Sequence, residues 1–222
     1  MDESFQYFYV DEGWGPVEHT EQVPPEKIER FRGKLPDQLL EYWELYGWGS
    51  YGKGLFWLVD PEVYDPVLSA WLEDTPLMRQ DTFSIIGRSA FGQLFLWGTK
   101  SGQSLNIIPW WGMIFPRDNS KKIQAGLADD LVRYFFGGLD RENLIEEDVQ
   151  GQPLFDRALQ ALGPLASDEM YGYVPALALG GEARLENLRK VKAVEHLIIL
   201  AQLGERTIMR DIVQDAQNAG LM

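Results

Sequence analysis

The sequence predicts an α+β fold, with helices packed on an antiparallel β-meander sheet, followed by a mostly helical C-terminal domain with a short strand region. Three observations carry this. An amphipathic helix, Leu35–Tyr46, runs through a glycine-laden turn, Gly47–Gly54, into the bulky apolar run Leu55–Val59. Four short strand-like runs then follow at close intervals, Phe83–Ile86, Leu94–Trp97, Leu105–Ile108 and Met113–Phe115. Beyond the polar, basic stretch Arg117–Lys122 the apolar spacing turns helical. Helices first and a meander after them suit α+β better than a parallel, doubly wound sheet.

Taken in order, Phe5–Val10 is aromatic, and its period fits either a strand or a helix. A short polar helix is expected at Glu26–Arg32, after Pro24-Pro25. The next helix starts at Pro36-Asp37, buries Leu39, Leu40, Trp43 and Tyr46, and stops at Gly47. Val67, Leu68, Trp71 and Leu72 mark one side of a second helix, Val63–Leu72. Glycine and polar residues join the four strands, which makes a meander the economical topology. After the boundary, Ile123, Leu127, Leu131, Tyr134 and Phe135 recur at helical spacing up to Gly137-Gly138. An acidic connector, Asp140–Gln152, leads to a helix at Pro153–Leu162. One or two strands are expected in Tyr171–Leu179, then a long helix, Leu185–Leu203, and a last amphipathic helix, Thr207–Asn218. Two domains follow, residues 1–118 and 119–222, packed against each other.

Bulk composition narrows the function. A net charge of −14 disfavours free binding to nucleic acid or to anionic membrane and favours a basic partner. With no cysteine, disulfides, thiolate metal sites and cysteine nucleophiles are excluded together. Met1-Asp2-Glu3 does not resemble a signal peptide and no run reaches membrane-spanning length, so a soluble cytoplasmic protein is expected.

Chemical motifs are sparse. Gly47-Trp48-Gly49-Ser50-Tyr51-Gly52 spells GxGxxG, but it leaves a helix and enters a strand, the reverse of what a pyrophosphate site requires. The two histidines, His19 and His196, cannot build a histidine cage. Asp129-Asp130 and Glu146-Glu147-Asp148 are adjacent in sequence, and adjacent residues on a helix do not converge on one cation. Ser84, Ser89, Ser101 and Ser104 lack a nucleophile motif. No catalytic residue, cofactor site or metal site is expected.

Leu35–Leu68, LPDQLLEYWELYGWGSYGKGLFWLVDPEVYDPVL, resembles the GAD-like domain, with its LP-started helix, glycine turn, GLFW run and P-x-x-Y step. The likeness covers Phe5–Pro116. Leu162-Gly163, Asp168–Tyr173, Gly180-Gly181 and Glu195-His196-Leu197 look like the C-terminal domain of immunity proteins against type VI secretion DNase effectors, as in Pseudomonas. The layout also looks like the broad class of small α+β immunity domains related to the yeast cell-wall regulator family.

The resemblance implies a cytoplasmic immunity protein that binds a cognate secreted nuclease toxin one to one and covers its basic DNA-binding or catalytic surface, without enzymatic activity of its own. Rivals from other classes are a small-molecule or tRNA-related binding module, and a hydrolase using a carboxylate pair. Two acidic stretches are candidates for the partner surface. The first is the connector with Asp140, Glu142, Glu146, Glu147 and Asp148, flanked by Trp110, Trp111 and Tyr171 as aromatic anchors. The alternative is Asp60, Glu62, Asp65, Glu73 and Asp74. A solvated interdomain connector is the plainer reading of the first.

Overall fold

The computed structural model describes residues 1–211. Helix α1 (Glu3–Gln6) is capped by Asp2, whose carboxylate accepts from the Ser4 and Phe5 amides at 3.1 Å each. It continues into a π-helical turn, Tyr7–Asp11, so the aromatic run that fitted either period is helical and sends Phe5 and Phe8 into the core. Strand β1 (Glu18–Glu21) and helices α2 (Pro25–Phe31) and α3 (Asp37–Tyr46) follow. Gly47 ends α3 with φ of 72°, and a Cβ there would lie 2.4 Å from the Glu21 carbonyl oxygen, so glycine is required.

The stretch read as a long turn holds a strand, β2 (Trp48–Tyr51), and only residues 52–54 turn the chain into β3 (Phe56–Leu58). Its glycine hid it: Trp48, Ser50 and Tyr51 gain their environment from pairing with β1 on one side and β3 on the other. Helix α4 (Asp65–Leu72) then leads to β4 (Phe83–Ser89), β5 (Leu94–Gly98), β6 (Gly102–Ile108) and β7 (Met113–Pro116). From β1 to β7 every neighbour in the sheet is a neighbour in the chain, and every pairing is antiparallel. The expected meander is present and extends to three strands that precede it.

After the sheet, the single helix expected from Ile123 to Phe135 is two, α5 (Ser120–Gln124) and α6 (Ala128–Gly137), because Gly126 sits at φ of 76° between them. The connector carries one short helical turn, Glu142–Leu144, before α7 (Phe155–Leu162). Strand β8 (Glu169–Tyr173) is followed by a short turn of helix, Leu177–Leu179, then β9 (Leu188–Lys192), α8 (Ala193–Leu203) and β10 (Thr207–Ile208). The first part of the long helix expected from Leu185 is therefore strand β9, antiparallel to β8 with Met170 opposite Val191 and Tyr173 opposite Leu188. Lys190 and Lys192 reach Glu169 and Asp168 across this hairpin, at 3.4 and 2.5 Å. The last expected helix is also corrected at its start. Thr207 and Ile208 pair in parallel with Met113 and Ile114 of β7, and the part of that helix beyond residue 211 lies outside the described residues.

One hydrophobic cluster runs through both halves of the chain. Phe136 of α6 stands 5.3 Å from Phe5 and 5.2 Å from both Phe8 and Tyr42, ring centre to ring centre. The Trp71 indole on α4 donates to the Leu197 carbonyl on α8 at 3.0 Å. Asp129, at the start of α6, accepts from the Gln38 amide at 2.9 Å and so caps α3, which has no side-chain cap of its own.

Candidate partner-binding face

Between β6 and β7 the chain makes one tight helical turn, Pro109–Trp111, and leaves it through Gly112 in the left-handed region. The turn divides two adjacent tryptophans: Trp110 faces inward at 6% exposure and Trp111 outward at 58%. After β8, the Leu177–Leu179 turn packs on it. Leu179 is 63% exposed there, and Val174 also faces out. Between the two turns Trp71, Trp110, Trp111, Leu177, Leu200 and Arg206 enclose a cleft of about 170 Å³. Exposed aromatic and aliphatic side chains gathered around a concavity have the form of interface anchors.

The acidic connector comes near the inward-facing Trp110 through Glu146. Burial, and then the charge of Glu147, push the Glu146 carboxyl up from 4.5 to about 7. The indole of Trp110 opposes this shift, yet its N–H, like the Tyr173 hydroxyl, is buried without a hydrogen bond of good geometry. The other connector acids have different surroundings. Asp148 is buried, pairs with Arg157 at 2.6 Å and accepts from the Gln150 and Gln152 amides, so it holds the loop in shape. Asp140 accepts from the Glu142 amide at 3.0 Å, while Glu142 and Glu147 are exposed. Arg141 between them donates to the Gly13 carbonyl at 2.7 Å and lies 4.6 Å from the Trp14 ring. Tyr171 is buried and donates to the Gly163 carbonyl at 2.8 Å.

On the alternative stretch, Asp60 is ion-paired to Lys27, and Glu62 meets Lys27 at 3.1 Å and Arg30 at 2.5 Å. Asp65 and Glu73 are exposed. Asp74 approaches Arg206 at 3.9 Å, which brings it to the rim of the Trp111 cleft. The structure thus joins parts of both groups: Trp110, Trp111 and Asp74 border one patch, Glu146 sits behind it near the Trp110 indole, Asp148 and Tyr171 are interior, and Asp60 and Glu62 are internally neutralised. Leu177, Leu179 and Arg206 have no distinguishing sequence signal and join the patch only through the fold.

A second concavity lies where β3 and α4 meet the loop before β8. It is a cleft of about 390 Å³ lined by Trp48, Trp57, Tyr64, Ser167 and Asp168 among others. Behind its wall the guanidinium of Arg88 is fully buried, donating to Tyr64 Oη at 2.8 Å and to the Ser167 carbonyl at 2.9 Å, and stacking 4.7 Å from the Trp57 ring. No signal in the sequence marked this place: Arg88 follows the apolar run Phe83–Ile86 in a stretch that reads as a polar connection, and β4 in fact runs through it to Ser89. Asp168 is held below the usual carboxylate range, chiefly by Lys192 and with a smaller contribution from Arg88.

Among the described residues no group of three or more His, Asp or Glu side chains gathers to hold a metal ion. No helix among them is long and apolar enough to cross a membrane.

Residues 129–204, which supply the Leu177–Leu179 turn, Glu146 and the hairpin, match the family model of the T6SS immunity protein Tdi1, C-terminal. That match supports an immunity role and a secreted toxin as partner. Residues 5–110 match the model of the GAD-like domain, so the two family models match consecutive parts of the chain. Solved structures that it resembles include the crystal structure of Atu4351 from Agrobacterium tumefaciens. That protein is 26% identical, with 91% of each chain covered and a TM-score of 0.80. No curated protein sequence matches.

Proposed function

We propose that this is a cytoplasmic, non-enzymatic immunity protein that binds a secreted DNase toxin one to one and covers its basic DNA-binding or catalytic surface. The match of residues 129–204 to the Tdi1 immunity domain is the observation that carries this reading. Charge and shape support it further. A nuclease must present cations to phosphates, and a protein of net charge −14 can set carboxylates against those cations. The patch around Trp111 supplies the apolar anchors that such a contact needs, with Glu205 in the cleft wall and Asp74 at its rim as acids beside it. An interface of roughly 1,600 Å² and nanomolar or tighter affinity are expected.

The test is co-expression with a candidate secreted nuclease, purification through a tag on the nuclease alone, and mass measurement by light scattering. A stable one-to-one complex is expected. Failure to co-purify would remove the reading.

The Arg88 cleft favours a second reading, a small-molecule binding module, because it is the larger concavity and converging polar groups border it. A ligand retained through purification and released on denaturation would favour that reading instead.

A further inference from the structure

The larger cleft, where β3 and α4 meet the loop before β8, is walled by both matched segments. Trp48, Trp57 and Tyr64 come from residues 5–110, and Ser167, Asp168 and Val194 from residues 129–204. Its hydrogen-bond donors do not all find acceptors. Arg88 Nε donates to Tyr64 Oη at 2.8 Å, which uses the oxygen as an acceptor and leaves the phenol proton without an acceptor among the described residues. Trp48 likewise keeps its indole N–H buried and unpartnered. Both residues line the cleft, at 4% and 5% exposure. The charges are lopsided in the complementary sense, because Glu21, Asp60 and Asp168 line the cleft and no lysine or arginine does. Asp60 is paired with Lys27 and Asp168 with Lys192, whereas Glu21 enters no ion pair among the described residues. The buried Arg88 stands behind this wall with its N–H groups spent on Tyr64, Ser89 and Ser167 oxygens. The edge strand adds a strained residue at the rim: His19 sits at φ of 51°, within the register shift between Glu18 and Glu21. Its exposed ring lies 5.9 Å from the Trp57 indole at 23°, an aromatic lip on the cleft.

Donors without acceptors call for an oxygen, and a carboxylate without a partner calls for a cation. The oxygen must be uncharged, since a carboxylate or phosphate would face three carboxylates and no lining cation. We propose that this cleft binds a small protonated organic amine that carries an uncharged hydroxyl or carbonyl oxygen on an apolar or aromatic body. The amine meets Glu21, the oxygen accepts the Tyr64 proton, and the body lies along Trp48, Trp57 and Val63. A cleft of about 390 Å³ is of the size that holds such a molecule. This rests on the small-molecule reading and gives it a ligand class, and the immunity reading stands apart from it.

The experiment is calorimetric titration of the full chain at neutral pH with phenylalaninol and with two relatives, each altered at one feature. Phenylalanine carries a carboxylate in place of the hydroxymethyl group, and N-acetylphenylalaninol has lost the charge on nitrogen. Phenylalaninol should saturate one site, and each relative should bind about tenfold more weakly or less. Val63 is 55% exposed, so Val63→Trp should fold, lay an indole across the cleft and abolish binding. Glu21→Gln should weaken binding about threefold, as expected for an exposed charge. A preference for phenylalanine or N-acetylphenylalaninol, still blocked by Val63→Trp, would overturn the amine class and leave the cleft a ligand site. Binding that Val63→Trp leaves unchanged, or no binding of any probe into the millimolar range, would overturn the site itself; the small-molecule reading would then rest on a ligand retained through purification. Displacement of phenylalaninol by a candidate nuclease would assign the cleft to the toxin and overturn a free ligand. The wild-type series does not depend on either variant folding.

Discussion

At the scale of single residues, Glu146 makes the stability of the free protein depend on pH in an unusual direction. Its folded-state value is raised from 4.5 to about 7, so the folded protein holds a proton that the unfolded chain gives up. The associated stabilisation is complete below the unfolded value and is lost as pH rises through about 7. Glu146→Gln keeps the neutral shape and avoids the loss, so it should melt higher than wild type at pH 8, by at most about 3 kcal/mol of stability, and match it at about pH 4. Melting curves at the two values check this, and a constant difference between wild type and variant would contradict it. Arg88 is the other residue with a large expected effect. Arg88→Ala removes the stacking on Trp57, leaves the Ser167 carbonyl and Tyr64 hydroxyl without their donor, and opens a cavity. A cost of about 2–5 kcal/mol is expected, seen as a lower denaturant midpoint, and a midpoint unchanged from wild type would show the guanidinium to be incidental.

At the scale of elements, the joints between the two matched segments are specific contacts that can be cut one at a time. Asp129→Ala removes the cap that α6 lends to α3 and should cost about 1 kcal/mol, with faster amide exchange at the first turn of α3. Slowed or unchanged exchange there would assign the cap no role.

Elements with strong local pattern were legible. Helix α3 declares itself through Pro36, Asp37 and its apolar spacing, and the strands from β3 to β7 through short apolar runs between glycines. Elements that exist by long-range pairing were not. Strand β2 carries a glycine in a polar, turn-like context, and β9 places Leu188 and Val191 three apart among basic residues, a spacing that serves a helix as well as a strand. The same limit applies to the candidate face. Trp110, Trp111 and Glu146 stood out by chemistry, but Leu177 and Leu179 join them only because β8 is anchored to the turn after β4, where the Tyr171 amide donates to the Ala90 carbonyl at 2.9 Å. That Asp148 serves its own loop could not be read from a run of three acids.

At the scale of the whole molecule, the net charge of −14 should act on encounter more than on residence. Long-range attraction to a basic toxin is screened once the Debye length shrinks, to about 3 Å at 1 M salt, whereas contacts in the buried centre of an interface are screened much less. Association with the nuclease should therefore slow as salt is raised while dissociation changes little, which stopped-flow fluorescence of the exposed Trp111 can follow. An association rate indifferent to salt would remove charge steering.

The proposal that this chain neutralises a nuclease is tested most directly by titrating it into a fixed amount of the candidate toxin that co-purifies with it and measuring DNA cleavage. Cleavage should fall linearly and reach zero at one molecule of this protein per molecule of toxin. Full cleavage in the presence of a large molar excess would contradict it.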